Sequence, residues 1–154
     1  METTLIILKP DTIQRGLIGE IIHRFERAGL SIVGMKMVRA SRELAETHYE
    51  EHKGKGFYDE LLQFITEAPI IVMALRGENV IEICRKLRGP TDPFKAQPGT
   101  ICGDYAHFLF KGRNLVHASA NPSDAERELK IWFTDEEIYA YNRYDSYPTQ
   151  GVKA

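Results

Sequence analysis

The chain reads as an α+β sandwich, with helices on one face of a small, mainly antiparallel sheet of the split βαβ kind. Three observations predict it. Apolar patterning runs strand, helix, strand, helix, strand, helix through the first 90 residues. Short continuous apolar runs, Leu5-Ile6-Ile7-Leu8 and Ile70-Ile71-Val72-Met73-Ala74-Leu75, suit strands buried on both faces. The doubly wound parallel alternative is disfavoured, because no Gly-x-Gly-x-x-Gly follows the first strand and no P-loop occurs anywhere.

The first strand ends at Lys9-Pro10-Asp11, which leaves Lys9 at a sheet edge. Ile18, Ile21, Ile22 and Phe25 have helical spacing, so a helix runs to Ala28 and stops at Gly29. Val33, Met35 and Met37 alternate within Ser31 to Arg39, the mark of a second strand with one solvated face. Ser41 and Leu44 open a helix reaching His48-Tyr49, Lys53-Gly54-Lys55-Gly56 breaks it, and Phe57 to Glu67 forms another. Strand Ile70–Leu75 precedes a helix from about Asn79 to Leu87. A Pro- and Gly-rich stretch from Gly89 to Gly103 reads as an ordered functional loop. Two strands follow, Tyr105 to Phe110 and Asn114 to Ser119, with a turn at Lys111-Gly112-Arg113. Ser123 and Glu126 have capping-box spacing at the start of the next helix, and a last short helix covers Glu136 to Tyr141.

Composition sets outer bounds. The 154 residues suffice for one domain with a sizeable core, over the whole of 1–154. A hydrophobic fraction of 43%, a charged fraction of 27% and a formal net charge of −2 are those of a soluble globular protein, with no global field for capturing nucleic acid. Any polyanion site is therefore local. Cys84 and Cys102 have no metal or disulfide spacing, which makes a reducing, cytoplasmic compartment the expectation. The opening residues lack a signal-peptide pattern, and no apolar run has the length of a membrane span.

The most informative residue is His117, in Arg113-Asn114-Leu115-Val116-His117-Ala118-Ser119. A strand that stops at a small residue and a hydroxyl leaves this imidazole at a sheet edge, open to a ligand. Glu128 follows eleven residues later, a turn or so into a helix that can pack back on the strand. A carboxylate on one imidazole nitrogen frees the other as acceptor, general base or nucleophile. Taken alone, a histidine after two aliphatics is an ordinary structural residue. His23 falls within an amphipathic helix and His107 precedes Phe108-Leu109-Phe110. His48 and His52, at i and i+4, form a zinc-compatible pair without further ligands in sequence.

Several segments in order together resemble nucleoside diphosphate kinases, almost end to end. They are Leu5 to Asp11, His48-Tyr49 through Phe57, Pro98-Gly99-Thr100-Ile101 with Gly103-Asp104, and Asn114 to Ser119. The resemblance implies a ferredoxin-like βαββαβ fold with a four-stranded antiparallel sheet. It also implies a ping-pong reaction that carries the γ-phosphate of a nucleoside triphosphate through a phosphohistidine to a nucleoside diphosphate. His117 would carry the phosphate, Glu128 would hold its ring, and Ser119 would support the pair by hydrogen bonding. Lys9, Tyr49, Arg85, Thr91 and Asn114 match positions around the phosphates and sugar, and Phe57 matches the aromatic under the base. Mg²⁺ is expected on the nucleotide phosphates, and the assembly is expected to be a homo-hexamer or tetramer, with the tail from Asn142 to Ala154 reaching a neighbour. These residue types suit phosphoryl transfer, where cations stabilise charge on the equatorial oxygens. Stacking on Phe57 reads a π-face and tolerates any base.

Three departures stand out. Cys102 replaces an arginine of the family pattern, removing a phosphate contact worth about tenfold to a hundredfold in rate. Lys86, Arg88 and Lys95 are candidates to replace it. Ala120 stands where the pattern has an acidic residue, and two extra residues fall between Gly103 and Asn114, lengthening the turn at Lys111-Gly112. The competing reading is a family member that binds nucleotide but acts chiefly as an interaction or phosphohistidine signalling module. A nucleic-acid-binding domain of similar topology lacks support, because no pronounced basic character or aromatic strand motif is present.

Overall fold

The computed structural model describes residues 1–108 and 113–145. Strands β1 (Glu2–Leu8), β2 (Ser31–Val38), β3 (Ile70–Gly77) and β4 (Val116–Ala118) form one sheet in the order β2-β3-β1-β4. Every neighbouring pair is antiparallel, with Ile6 opposite Met73, Ile7 opposite His117 and Met35 opposite Met73. The expected four-stranded antiparallel sheet is therefore present, and β1 and β3, which carry the unbroken apolar runs, are its central strands. Helix α2 (Ile18–Arg27) links β1 to β2, helices α3 (Arg42–His48) and α4 (Tyr58–Thr66) lie between β2 and β3, and α5 (Val80–Arg88) follows β3.

Helices cover both faces of this sheet, a correction to the one-faced sandwich. Ile6, Leu8, Met73 and Leu75 pack with Ile21 and Phe25 of α2 and with Val80, Ile81 and Cys84 of α5. Leu5, Ile7, Val72 and Ala74 point the other way, into Ala45 of α3, Leu62 and Ile65 of α4 and Trp132 of α7 (Pro122–Trp132). An unbroken apolar run exposes apolar side chains on both faces, and each fully buried leucine or isoleucine is worth roughly 1.5–3 kcal/mol, so both sides need cover.

Elements also differ near the punctuation residues. Pro10 opens a short helix, α1 (Pro10–Gln14), because proline is pre-set for a helix's first turn as well as unfit for a strand. The loop before Asn114 contains α6 (Ile101–Tyr105), capped by the Thr100 hydroxyl, which accepts from the Gly103 N–H at 2.9 Å. Tyr105 therefore ends a helix, where a strand was expected, and Ala106 to Phe108 are not strand either. The rest of that expected strand and the Lys111-Gly112 turn lie outside the described residues. Gly103 is required here: a Cβ would sit 1.9 Å from the Gln97 carbonyl oxygen. Asn121, followed by Pro122, caps α7 through its Oδ1, which accepts from Asp124 N–H at 2.8 Å, in place of the Ser123/Glu126 box. The last expected helix is a 3-10 turn, Asp135–Glu137, after which Tyr139 N–H donates to Val33 O on the outer strand β2. The tail residues Tyr147 and Pro148 lie outside the described residues; Tyr144 is exposed, and Arg143 donates to Glu26 O and Leu30 O of its own chain.

Candidate active site

The site is built where β1 ends beside β4. The Leu115 carbonyl accepts from the Lys9 N–H at 2.8 Å and from the Thr12 hydroxyl at 2.7 Å, while its own N–H donates to Asp11 Oδ2 at 3.1 Å. These bonds fix Leu115 at φ 70, and Val116 N–H donates back to Asn114 O at 2.7 Å, the pattern of a strained γ-turn. Asn114 Oδ1 consequently meets Lys9 Nζ at 2.6 Å. Beyond the turn, Val116 and Ala118 enter the α2/α5 core, so alternation sends His117 to the opposite face, beside Ile7.

Glu128 reaches this imidazole from α7. Its Oε2 lies 2.6 Å from His117 Nε2, and the carboxyl is 3% exposed. A carboxylate only accepts, so Nε2 holds the proton and Nδ1 keeps its lone pair. Burial pushes Glu128 above the usual carboxylate range, and the neighbouring His48 partly offsets this. Ser119 is close enough to offset it further, yet its two hydrogen bonds run to the backbone of Leu5 and Glu128 Oε1 has no partner. Burial, then the charges of Lys9 and Arg88, drive His117 well below the usual histidine range, which keeps the ring neutral. His48 packs edge-on against His117 with centroids 4.7 Å apart, and its Nδ1 accepts from Trp132 Nε1 at 3.1 Å. Burial pushes His48 down to about 3, so a neutral wall backs His117.

His117 opens into a cleft of about 1090 Å³ also lined by Lys9, Tyr49, Phe57, Thr91 and Asn114. Six expected residues thus converge, with Glu128 behind His117. Phe57 stands half-exposed at the rim, 5.5 Å from the His52 ring, and Tyr49 is buried. Arg85 is not among the lining residues; it lines a neighbouring cleft of about 750 Å³ with Lys86, Lys95 and Ala120. Its charge still acts on His117. Of the three lysine or arginine side chains lining the His117 cleft, Arg113 is held by Glu67 at 2.7 and 3.2 Å. Lys9 and Arg88 have no carboxylate within 4 Å among the described residues. Both are buried, and burial followed by the Arg88 charge lowers Lys9 to about 8. Two buried cations without an ion-pair partner, with only the more distant Asp11 partly offsetting the charge of Lys9, next to a neutral imidazole, make a pocket that wants an anion.

Metal ligation fits less well. His48, His117 and Glu128 offer ligand atoms within 4.8 Å of one another, but two imidazoles are poor ligands for magnesium. His52 is outside that cluster, which joins His48 to His117 and Glu128 instead.

Residues 2–138 match the family model described as nucleoside diphosphate kinase. The chain belongs to the nucleoside diphosphate kinase family. A nucleoside diphosphate kinase of Pyrococcus furiosus is 54% identical over 142 residues, covering 92% of this chain and 88% of that one. One of Carboxydothermus hydrogenoformans is 51% identical, covering 93% and 95%. The solved Halobacterium salinarum nucleoside diphosphate kinase in complex with CDP superposes with a TM-score of 0.89 at 43% identity, over 93% of this chain and 94% of that one. The Borrelia burgdorferi enzyme, a transition-state mimic with vanadate and ADP, gives 0.88 at 42%, over 94% of each chain. The ferredoxin-like arrangement is thus the family's fold.

Within this nucleoside diphosphate kinase, Cys102 is buried and its Sγ lies 3.5 Å from Asn114 O. Burial raises its thiol, with Arg88 and Lys9 partly offsetting. Ala120 leaves the His117–Glu128 contact intact. Sequence reasoning missed Asp11 and Thr12 under the Leu115 turn and the Trp132–His48 brace. Only the Asp after Pro10 and the lone tryptophan hinted at either. No helix among the described residues is long and apolar enough to cross a membrane.

Proposed function

We propose that this chain moves the γ-phosphate of a nucleoside triphosphate to a nucleoside diphosphate through a phosphohistidine at His117. The supporting observation is a neutral imidazole, fixed at Nε2 by buried Glu128, facing a cleft with two buried cations that have no carboxylate within 4 Å among the described residues. The Nδ1 lone pair attacks the γ-phosphorus, a P–N bond forms, and the bond to the β-bridging oxygen breaks with its electrons leaving on the diphosphate. The acceptor diphosphate reverses these steps. Positive charge developing on the ring is stabilised through Nε2–H by Glu128, and Ser119 needs only to rotate its hydroxyl to engage the free Glu128 oxygen.

Lys9 neutralises charge on the transferring group, Asn114 orients Lys9, and Tyr49 and Thr91 line the phosphates and sugar. Phe57 forms the platform for the base, with no edge contact that selects one base. Arg85, from the adjacent cleft, contributes to the field. Magnesium arrives as part of the substrate, held by the phosphate oxygens. The working assembly is a homo-hexamer rather than a tetramer, read by light scattering. Free, buried Cys84 and Cys102 suit a cytoplasmic setting.

The test is incubation with γ-labelled ATP and magnesium without acceptor. An acid-labile, alkali-stable phosphoprotein that discharges to GDP and is absent from His117→Ala is expected. ATP binding without labelling would refute the mechanism and favour the interaction-module reading.

A further inference from the structure

Position 102 carries no guanidinium, yet one is present in the cleft. Arg88 is the last residue of α5, where Gly89 at φ 82 turns the chain away. The side chain is 9% exposed and lines the cleft with His117, Lys9, Thr91 and Asn114. Its Nη2 donates to Thr91 Oγ1 at 3.1 Å, while its buried Nε has no partner. No carboxylate lies within 4 Å of it among the described residues, unlike Arg113 on the same cleft. The other two cations that could replace the missing group, Lys86 and Lys95, line the neighbouring cleft. Arg88 is felt electrostatically by Cys102, Lys9, Tyr49 and His117, which places it among them.

We propose that Arg88 binds the transferring phosphate, taking from the end of α5 the part that a residue at position 102 no longer plays. The argument rests on His117 being the phosphate carrier. A buried guanidinium without a carboxylate is costly unless an anion completes it, and its fork matches two phosphate oxygens. The small Cys102 side chain next to it carries no charge that would compete for that anion. Thr91 Oγ1, bonded to Nη2, holds the fork while Nε remains to be satisfied by ligand. Arg88 therefore acts on the phosphates and leaves base and sugar recognition alone.

The experiment compares Arg88→Leu with Lys86→Met, Lys95→Met and the double variant Arg88→Leu/Cys102→Arg. Labelling of the unaltered protein on His117 comes first, because its failure removes the phosphohistidine reading regardless of Arg88. Given labelling, Arg88→Leu should lower kcat/KM roughly tenfold to a hundredfold, the effect of losing a hydrogen bond to a charged group. Affinity for ADP should fall while affinity for adenosine, which has no phosphate, stays put. The two lysine variants should match the unaltered protein, and the double variant should recover most of the loss. Activity within twofold in Arg88→Leu overturns the proposal while leaving the phosphohistidine reading in place. Equal weakening for ADP and adenosine overturns it as well, since that marks a structural role. No recovery in the double variant, which also serves if the single variant folds poorly, overturns the exchange of positions.

Discussion

Replacing Leu115 by glycine and, separately, by alanine isolates the strain in the turn before His117. Both variants lose the same buried leucine atoms beyond Cβ, a loss of about 2–5 kcal/mol in a packed core. They differ in one β-carbon. At an ordinary backbone position glycine is the less stable by roughly 0.5–1 kcal/mol, through its chain entropy. At Leu115, where φ is 70, a β-carbon costs about 1–3 kcal/mol of backbone strain. From the centres of these ranges, about 2 against about 0.75 kcal/mol, the order inverts, and Leu115→Gly should be the more stable by about 1 kcal/mol. Urea unfolding at one fixed protein concentration measures it. Alanine equal to or more stable than glycine would show that the turn is not strained and that the bonds from Asp11, Thr12 and Lys9 hold a relaxed conformation.

Lys9 gives predictions of opposite sign for stability and binding. Burial lowers its folded pKa to about 8 from the ordinary lysine value of 10.5, so the unfolded chain binds more protons between those values. Stability should rise as pH climbs through that window, and urea melts at pH 7 to 10 read it, while ATP affinity should fall above about pH 8. Lys9→Met should flatten the stability rise and abolish measurable phosphate binding by calorimetry. Glu128→Gln preserves shape but removes the charge behind Nε2, and should slow phosphoenzyme formation about tenfold to a hundredfold in rapid-quench labelling. Gly103→Ala should lose at least the roughly 1–3 kcal/mol of an overpacked site, because the added carbon meets backbone rather than a movable side chain; thermal melts check it.

Much of this was legible because it is periodic. The run Leu5 to Leu8 located the central strand, and the helical spacing of Ile18 to Phe25 located α2. The same run also implied cover on both faces, which the expected one-faced sandwich did not honour. Local reasoning failed where one residue serves two elements. Pro10 ends β1 and begins α1, and Tyr105, in an aromatic stretch resembling a strand, closes α6. In the site, His117 and Glu128 were visible from residue type and spacing. Which of Lys86, Arg88 and Lys95 faces the cleft depends on the turn that ends α5, and Arg85 falls on the other side of the same helix end. The Leu115 turn is a tertiary product, created by hydrogen bonds to residues more than a hundred positions away.

That separation governs when the centre comes into being. Lys9 and Asn114 are 105 positions apart, and His117 reaches the cleft only when β4 pairs with β1. Long-range closure of this kind is slow and comes after local helices. A chain emerging from the ribosome holds β1, β2, β3 and their helices well before Leu115 appears, with one edge of β1 still unpaired and open to wrong partners. Docking of the three residues of β4 closes that edge and brings His117 to the cleft in one event. Labelling at His117 during refolding should therefore follow the last structural phase, so that acquiring the phosphate reports completion of the fold.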